Sequence, residues 1–250
     1  MTHKAIPENF RNWACSYSGC DGGNPDADIW LCGIEWGGGS QGDYYSDSLP
    51  AEIKAGTVTL EESKFDWKDS VSYTYGRSFA KLFTAIKEKP VADYKDLALN
   101  TWDGSELFKL NLYPIAFDST DHALWNENRM ANLTGFDEKN LFQTWCFMNR
   151  FPFFSKLRAE KKPKLIICTG VSYLRDFFVC FGGTQDNNGH IEYDDIVPMF
   201  ETNKASTRRY YWVKLDEDTT LVVIPFFSGI HGLNSDYLLQ EMGKRIRAIV

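Results

Sequence analysis

The chain is poor in the residues and runs that mark several common chemistries. Histidine occurs only four times in 250 residues, at positions 3, 122, 190 and 231, too scattered for a multi-histidine metal centre. The six cysteines include no Cys-x-x-Cys. Cys15 and Cys20 have four residues between them and no second pair to match them, so the set reads as reduced, mostly buried thiols. Long hydrophobic runs are absent. The most apolar, Leu221 to Phe227, has seven residues, where a membrane-spanning helix needs about 20. The opening Met1-Thr-His-Lys-Ala-Ile-Pro lacks the apolar core of a signal peptide, and the expectation is a cytoplasmic protein with no membrane partner. Positive charge is also short. With 27 Lys and Arg against 34 Asp and Glu, the net charge is −7, which argues against a generally basic nucleic-acid coat and leaves a local basic patch open. No GxGxxG follows the first strand-like run, and Gly33…Gly37-Gly38 lacks the Lys-Ser/Thr of a phosphate loop. GxSxG and HExxH are missing too. Neither a metal nor a cofactor is expected.

What is present is aromatic. Eight Trp, 12 Tyr and 18 Phe make 15% of the chain, enough for a large aromatic core or a pocket for a flat ligand. A chain that is 43% hydrophobic and 24% charged has ordinary globular composition. No repeat or linker divides it, so residues 1–250 read as one domain, with 1–27 as an N-terminal extension. Four short apolar runs, near 29–34, 107–113, 164–169 and 220–224, have the look of strands buried on both faces. Between them lie helical patterns. Phe79, Leu82, Phe83 and Ile86 recur at helical spacing, 138–158 is a long aromatic helix that Pro152 must bend or split, and a terminal helix spans 235–249. Residues 43–72 read as a polar excursion, 117–135 as a loop, 182–190 as a Gly/Asn-rich loop and 191–215 as a small antiparallel β insertion. The alternation predicts an α/β fold with a mostly parallel central sheet.

In such sheets ligands bind beyond the carboxyl ends of the strands. The residues there are Gly33 to Gly38, Asn111 to Pro114, Gly170 to Ser172 and Phe226 to His231. Each has two readings. Glu35 is either a carboxylate accepting backbone N–H groups in a glycine-rich turn or a group that orients or deprotonates a water. Asn111, a polar amide between two leucines, must be satisfied if buried, and a ligand could do it by reading both donor and acceptor. Trp36, Tyr113, Phe226 and Phe227 are either core or stacking platform. His231 stabilises a developing anion or does nothing chemical. The run from Lys156 to Lys164 is a solvated face or a phosphate contact.

The segments Phe108-Lys-Leu-Asn-Leu-Tyr-Pro-Ile-Ala-Phe117, Gly33-Ile-Glu-Trp-Gly37, Tyr75-Gly-Arg-Ser-Phe-Ala-Lys-Leu-Phe83, Lys164-Leu-Ile-Ile-Cys-Thr-Gly170 and Phe226-Phe-Ser228 together resemble, in order along residues 28–249, the motifs of the uracil-DNA glycosylase superfamily. The order is most similar to that of the single-strand-selective monofunctional branch. Trp36 stands where the family has a motif proline, and Phe226 where it has a histidine. The resemblance implies a three-layer α/β/α sandwich with a four-stranded sheet in the order 2-1-3-4. It implies metal-free hydrolysis of the N-glycosidic bond of a flipped-out base, with single-stranded DNA or a mispaired base, or else a free nucleobase or nucleotide, as partner. Glu35 would hold the water, His231 would steady the departing base, and Asn111 would read it. Gly33, Trp36, Gly37, Tyr73, Tyr75, Tyr113, Phe226 and Ser228 would line the base site.

Overall fold

A computed structural model describes residues 5–37, 42–60, 65–183, 190–198 and 207–250. The glycine-rich residues 38–41 and most of the Gly/Asn-rich loop, 184–189, lie outside the described residues, as do 1–4, 61–64 and 199–206. The strands are β1 (Gly22–Gly23), β2 (Ile29–Gly33), β3 (Leu107–Asn111), β4 (Leu165–Thr169), β5 (Glu192–Ile196), β6 (Arg208–Lys214) and β7 (Thr220–Ile224). The helices are α1 (Glu8–Ala14), α2 (Leu49–Ala55), α3 (Trp67–Ser70), α4 (Thr74–Ile86), α5 (Tyr94–Asn100), α6 (Ala123–Glu127), α7 (Met130–Thr134), α8 (Lys139–Asn149), α9 (Phe151–Lys161), α10 (Leu174–Gly182) and α11 (Asp236–Ile249).

The fold is α/β, but the expectation of a four-stranded sheet is corrected. One seven-stranded mixed sheet runs in the order β1-β3-β2-β4-β7-β6-β5. The pairs β2–β3, β2–β4 and β4–β7 are parallel, while β1, β6 and β5 join antiparallel at the two edges. The antiparallel strands β5 and β6 lie within the expected insertion at 191–215, but pattern alone gave no sign of β1 or of the insertion's joining the main sheet. β1 is two glycines, and β5 reads Glu-Tyr-Asp-Asp-Ile. The expected insertion is therefore no separate hairpin, because β6 pairs with β7 and extends the main sheet.

Parallel strands buried on both faces explain the continuous apolar runs. Trp30 and Cys32 point to one core, with Phe108, Leu110, Ile166 and Val223. Ile29 and Leu31 point to the other, with Leu107, Ile167, Val222 and Ile224. Residues of α1, α2 and α6–α10 build the first core, and residues of α3–α5 and α11 the second. The N-terminal segment, expected as an extension, belongs to the fold: Phe10 and Trp13 are fully buried, and Phe10 lies against Phe136, Phe142 and Trp145. On the second face α4 and α11 approach closely. A Cβ on Gly243 would come within 2.3 Å of the Ala85 Cβ, so any larger residue would push the helices apart.

The long aromatic helix splits as its proline requires. α8 ends and α9 begins at Arg150, placing Pro152 in the first turn of α9, where the absent N–H costs nothing. The predicted loop 117–135 instead contains α6 and α7. Trp125 of α6 is buried and donates its Nε1–H to the Phe136 carbonyl at 3.0 Å. Among the described residues no helix is long and apolar enough to cross a membrane.

Candidate active site

Pairing of β2 with β3 sets Gly33 directly opposite Asn111. The absent side chain at 33 matters here. A Cβ would fall 2.4 Å from Asn111 Oδ1 and 3.7 Å from the Tyr75 hydroxyl, so glycine leaves room for both polar groups beside the strand end. Asn111 is buried, and its Nδ2 donates to the Gly19 carbonyl at 2.9 Å. The Tyr75 hydroxyl lies 2.8 Å from Thr169 Oγ1 at the end of β4, and its ring contacts those of Phe226 and Phe227 after β7. Tyr75 thus links the ends of β4 and β7, while Gly33 and Asn111 stand side by side at the ends of β2 and β3.

Glu35 follows two residues after Gly33. It does not simply accept backbone N–H groups from a glycine-rich turn. Its side chain is 4% exposed, and its Oε1 accepts from the Nζ of Lys139 at 3.0 Å, a lysine side chain that is 0% exposed. The ammonium also sits 4.2 Å from the centre of the Phe117 ring and 3.5 Å from the Thr120 carbonyl. The second oxygen, Oε2, is buried and has no hydrogen-bond partner among the described residues. Leaving a buried acceptor unpaired costs about 1–3 kcal/mol, and more when it is charged. Burial pushes the Glu35 carboxyl up to about 7, with the Lys139 charge and hydrogen bond pulling the other way. A carboxyl with that pKa is half-ionised at neutral pH and can both take and return a proton.

The remaining predicted residues divide into rim and core. Trp36, Gly37, Tyr73, Phe226, Ser228 and His231 are exposed. Trp36 packs edge-on against Tyr44. Ser228 and His231 belong to the turn after β7, which the Gly232 N–H closes by donating to the Gly229 carbonyl at 3.1 Å. The cation beside Glu35 is Lys139, on a different element from His231. Tyr113 turns away from the strand-end surface. It is 2% exposed, donates its hydroxyl to Asp176 Oδ2 at 3.1 Å, and is flanked by the rings of Phe142 and Phe151. Phe227 is likewise core.

Two residues that matter were missed in the sequence. Lys139, the first residue of the aromatic helix, reads as an ordinary solvated lysine. Arg150 lies in Met-Asn-Arg-Phe-Pro between two helices and is 0% exposed. It donates to the carbonyls of Ala14, Ser16, Ser18, Asn111 and Leu112 and to the Ser18 hydroxyl, and it stacks over Phe154. It thereby fastens residues 14–18 to the end of β3, beside the Gly19 carbonyl that Asn111 uses. An arginine inside an apolar, aromatic stretch is the one cue that could have pointed to it.

The thiols lie apart from this chemistry. All six cysteines are free, four of them buried. Burial raises every one, Cys20 to about 12, so they stay protonated and unreactive at neutral pH. The basic stretch over the second half of α9 and the residues after it is paired with carboxylates: Lys156 with Glu160, Arg158 with Asp216, Lys161 with Asp26, Lys162 with Asp218 and Lys164 with Asp28. The chain matches no protein-family model and no curated protein sequence.

Proposed function

We propose that this protein hydrolyses the N-glycosidic bond of a base extruded from nucleic acid, in the manner of the uracil-DNA glycosylases it resembles. The observation that carries the reading is Glu35: a buried carboxyl with an unpartnered oxygen and a pKa near 7, two residues beyond the strand position that faces Asn111. Further support comes from the parallel strands, whose order β3-β2-β4-β7 is second, first, third, fourth in the chain. This is the order the resemblance implies for the four-stranded core of its fold.

The chemistry follows from these groups. A water held by Glu35 Oε2 attacks the anomeric carbon, the carbon–nitrogen bond breaks, and the bonding pair leaves with the base. The water proton passes to Glu35, and a proton returns from the site or solvent to the departing nitrogen. Asn111 supplies an amide that recognises the edge of the base. Tyr73, exposed just before α4, and Phe226, exposed just after β7, offer ring faces for stacking. Ser228 and His231 lie on the exposed turn next to Phe226 and are the donors assigned to charge developing on the base.

The test is incubation with oligonucleotides carrying uracil, hypoxanthine or a thymine mismatch, scoring abasic product. Product with wild type and at least a hundredfold less with Glu35→Gln is expected. No product at high enzyme concentration, or equal product from both proteins, overturns the reading. One observation favours a second reading, a binder of a free nucleobase or nucleotide. The net charge is −7, and the one basic stretch already has carboxylate partners. Binding of single-stranded DNA that falls steeply with salt excludes that alternative, whereas salt-insensitive binding of a nucleotide supports it.

A further inference from the structure

We propose that Lys139 is a positioning residue for Glu35. By holding Oε1 it fixes the carboxyl plane and leaves Oε2 as the single oxygen able to take a proton or hold a water. Only the catalytic consequence rests on the hydrolytic reading above; the pairing itself stands on geometry.

The placement of Lys139 has no other explanation in its surroundings. It is the first residue of α8, where the positive end of the helix dipole disfavours a cation. A fully buried ammonium costs several kcal/mol unless it is paired, and the carboxylate it meets is Glu35, at 3.0 Å. The other contacts hold its position: the Phe117 ring at 4.2 Å faces the ammonium, and the Thr120 carbonyl accepts at 3.5 Å. Among the described residues the ammonium thus meets one carboxylate oxygen, one carbonyl and one ring face. Such a fixed donor breaks the symmetry of the carboxyl. Oε1 is committed, Oε2 is not, and Oε2 is the atom without a partner.

The other titratable groups facing Glu35 are Tyr45 and Tyr173. Burial pushes both hydroxyls up, so they stay neutral across the physiological range. Asp118 bears on Tyr45. Lys139 is therefore the charged group that controls whether Glu35 ionises near neutrality, and it acts by opposing the burial that drives the carboxyl upward.

The experiment needs no substrate. In protein labelled with carboxyl-13C glutamate, the Glu35 signal, assigned by its loss in Glu35→Gln, is titrated in wild type and in Lys139→Met. A wild-type midpoint near 7 is expected, moving up by about one to three units in Lys139→Met, as loss of an adjacent opposite charge requires. An unmoved midpoint overturns the proposal. Should Lys139→Met fail to fold, the wild-type Lys139 15Nζ resonance gives the same answer. An inflection at the Glu35 midpoint supports the pairing, and a flat profile overturns it. A wild type that cleaves no oligonucleotide sinks the glycosylase reading and leaves these titrations untouched.

Discussion

Two buried cations hold the first core together in opposite ways. Arg150 gives its N–H groups to neutral oxygens, the carbonyls of residues 14, 16, 18, 111 and 112 and one hydroxyl, and its ring partner Phe154 covers one face. Lys139 meets a carboxylate, a carbonyl and a ring, and its carboxylate partner keeps one oxygen unpaired. The planar guanidinium fork presents five donors that several backbone carbonyls can share, whereas the compact ammonium here meets one carbonyl and a carboxylate. The difference teaches where to look for chemistry. A buried charge whose partners are complete is holding structure. A buried pair with an unfilled acceptor and a carboxyl moved to about 7 is poised to exchange a proton or bind a donor.

The contrast can be broken most directly at the arginine. Arg150→Met removes the donor from five backbone carbonyls at once, and urea unfolding should show a loss of at least about 4 kcal/mol. A loss under about 1 kcal/mol would mean that water satisfies those carbonyls and that Arg150 is not structural.

The next effect belongs to Glu35 and has a definite sign. Its folded pKa, about 7, lies above the ordinary value of 4.5, so between these pH values the native state binds the extra proton. Stability from this group is complete below about pH 4.5 and is lost as pH rises through 7, by up to about 3 kcal/mol. The stability difference between wild type and Glu35→Gln, measured by denaturation from pH 4 to 8, should therefore slope against wild type with rising pH. A flat difference would show that the carboxyl is not raised.

A smaller effect is expected at Gly33→Ala, whose Cβ would meet Asn111 Oδ1 at 2.4 Å. The amide must move, at about 1–3 kcal/mol, and any base recognition should fall more than stability does. Unchanged base binding would remove Asn111 from the site. Least of all should come from Lys164→Ala, which breaks an exposed pair with Asp28 and should change stability by about 0.5 kcal/mol or less. That variant should also leave nucleotide affinity unchanged. A fall in affinity would restore the phosphate role of the basic stretch.

Much of the frame was legible because burial on two faces writes itself plainly. Ile29–Gly33, Leu165–Thr169 and Thr220–Ile224 are buried throughout, and apolar runs of that length between helical patterns admit few other readings. Of the edge strands, β1 was not legible, since two glycines carry no hydrophobic pattern, and β5 could be placed only within an antiparallel insertion, because what joins it to the sheet is the pairing of β6 with β7. In the candidate site, Glu35, Asn111 and Gly33 could be found by applying the strand-end rule to a one-dimensional reading. Tyr113 could not be sorted into core or cleft this way. Its direction depends on Asp176 and on the rings of α8 and α9, which are distant in the chain.

The α/β alternation, the position of the strand ends and the identity of the polar groups there can be read along the chain, because periodicity and burial are local properties. Which of those groups are charged, paired or exposed depends on contacts between residues far apart in the chain. Lys139 lies 104 residues from Glu35, and Arg150 lies 132 from Ser18. A pKa or an unpaired oxygen is set by what crosses such distances to stand beside it, and no local pattern encodes that.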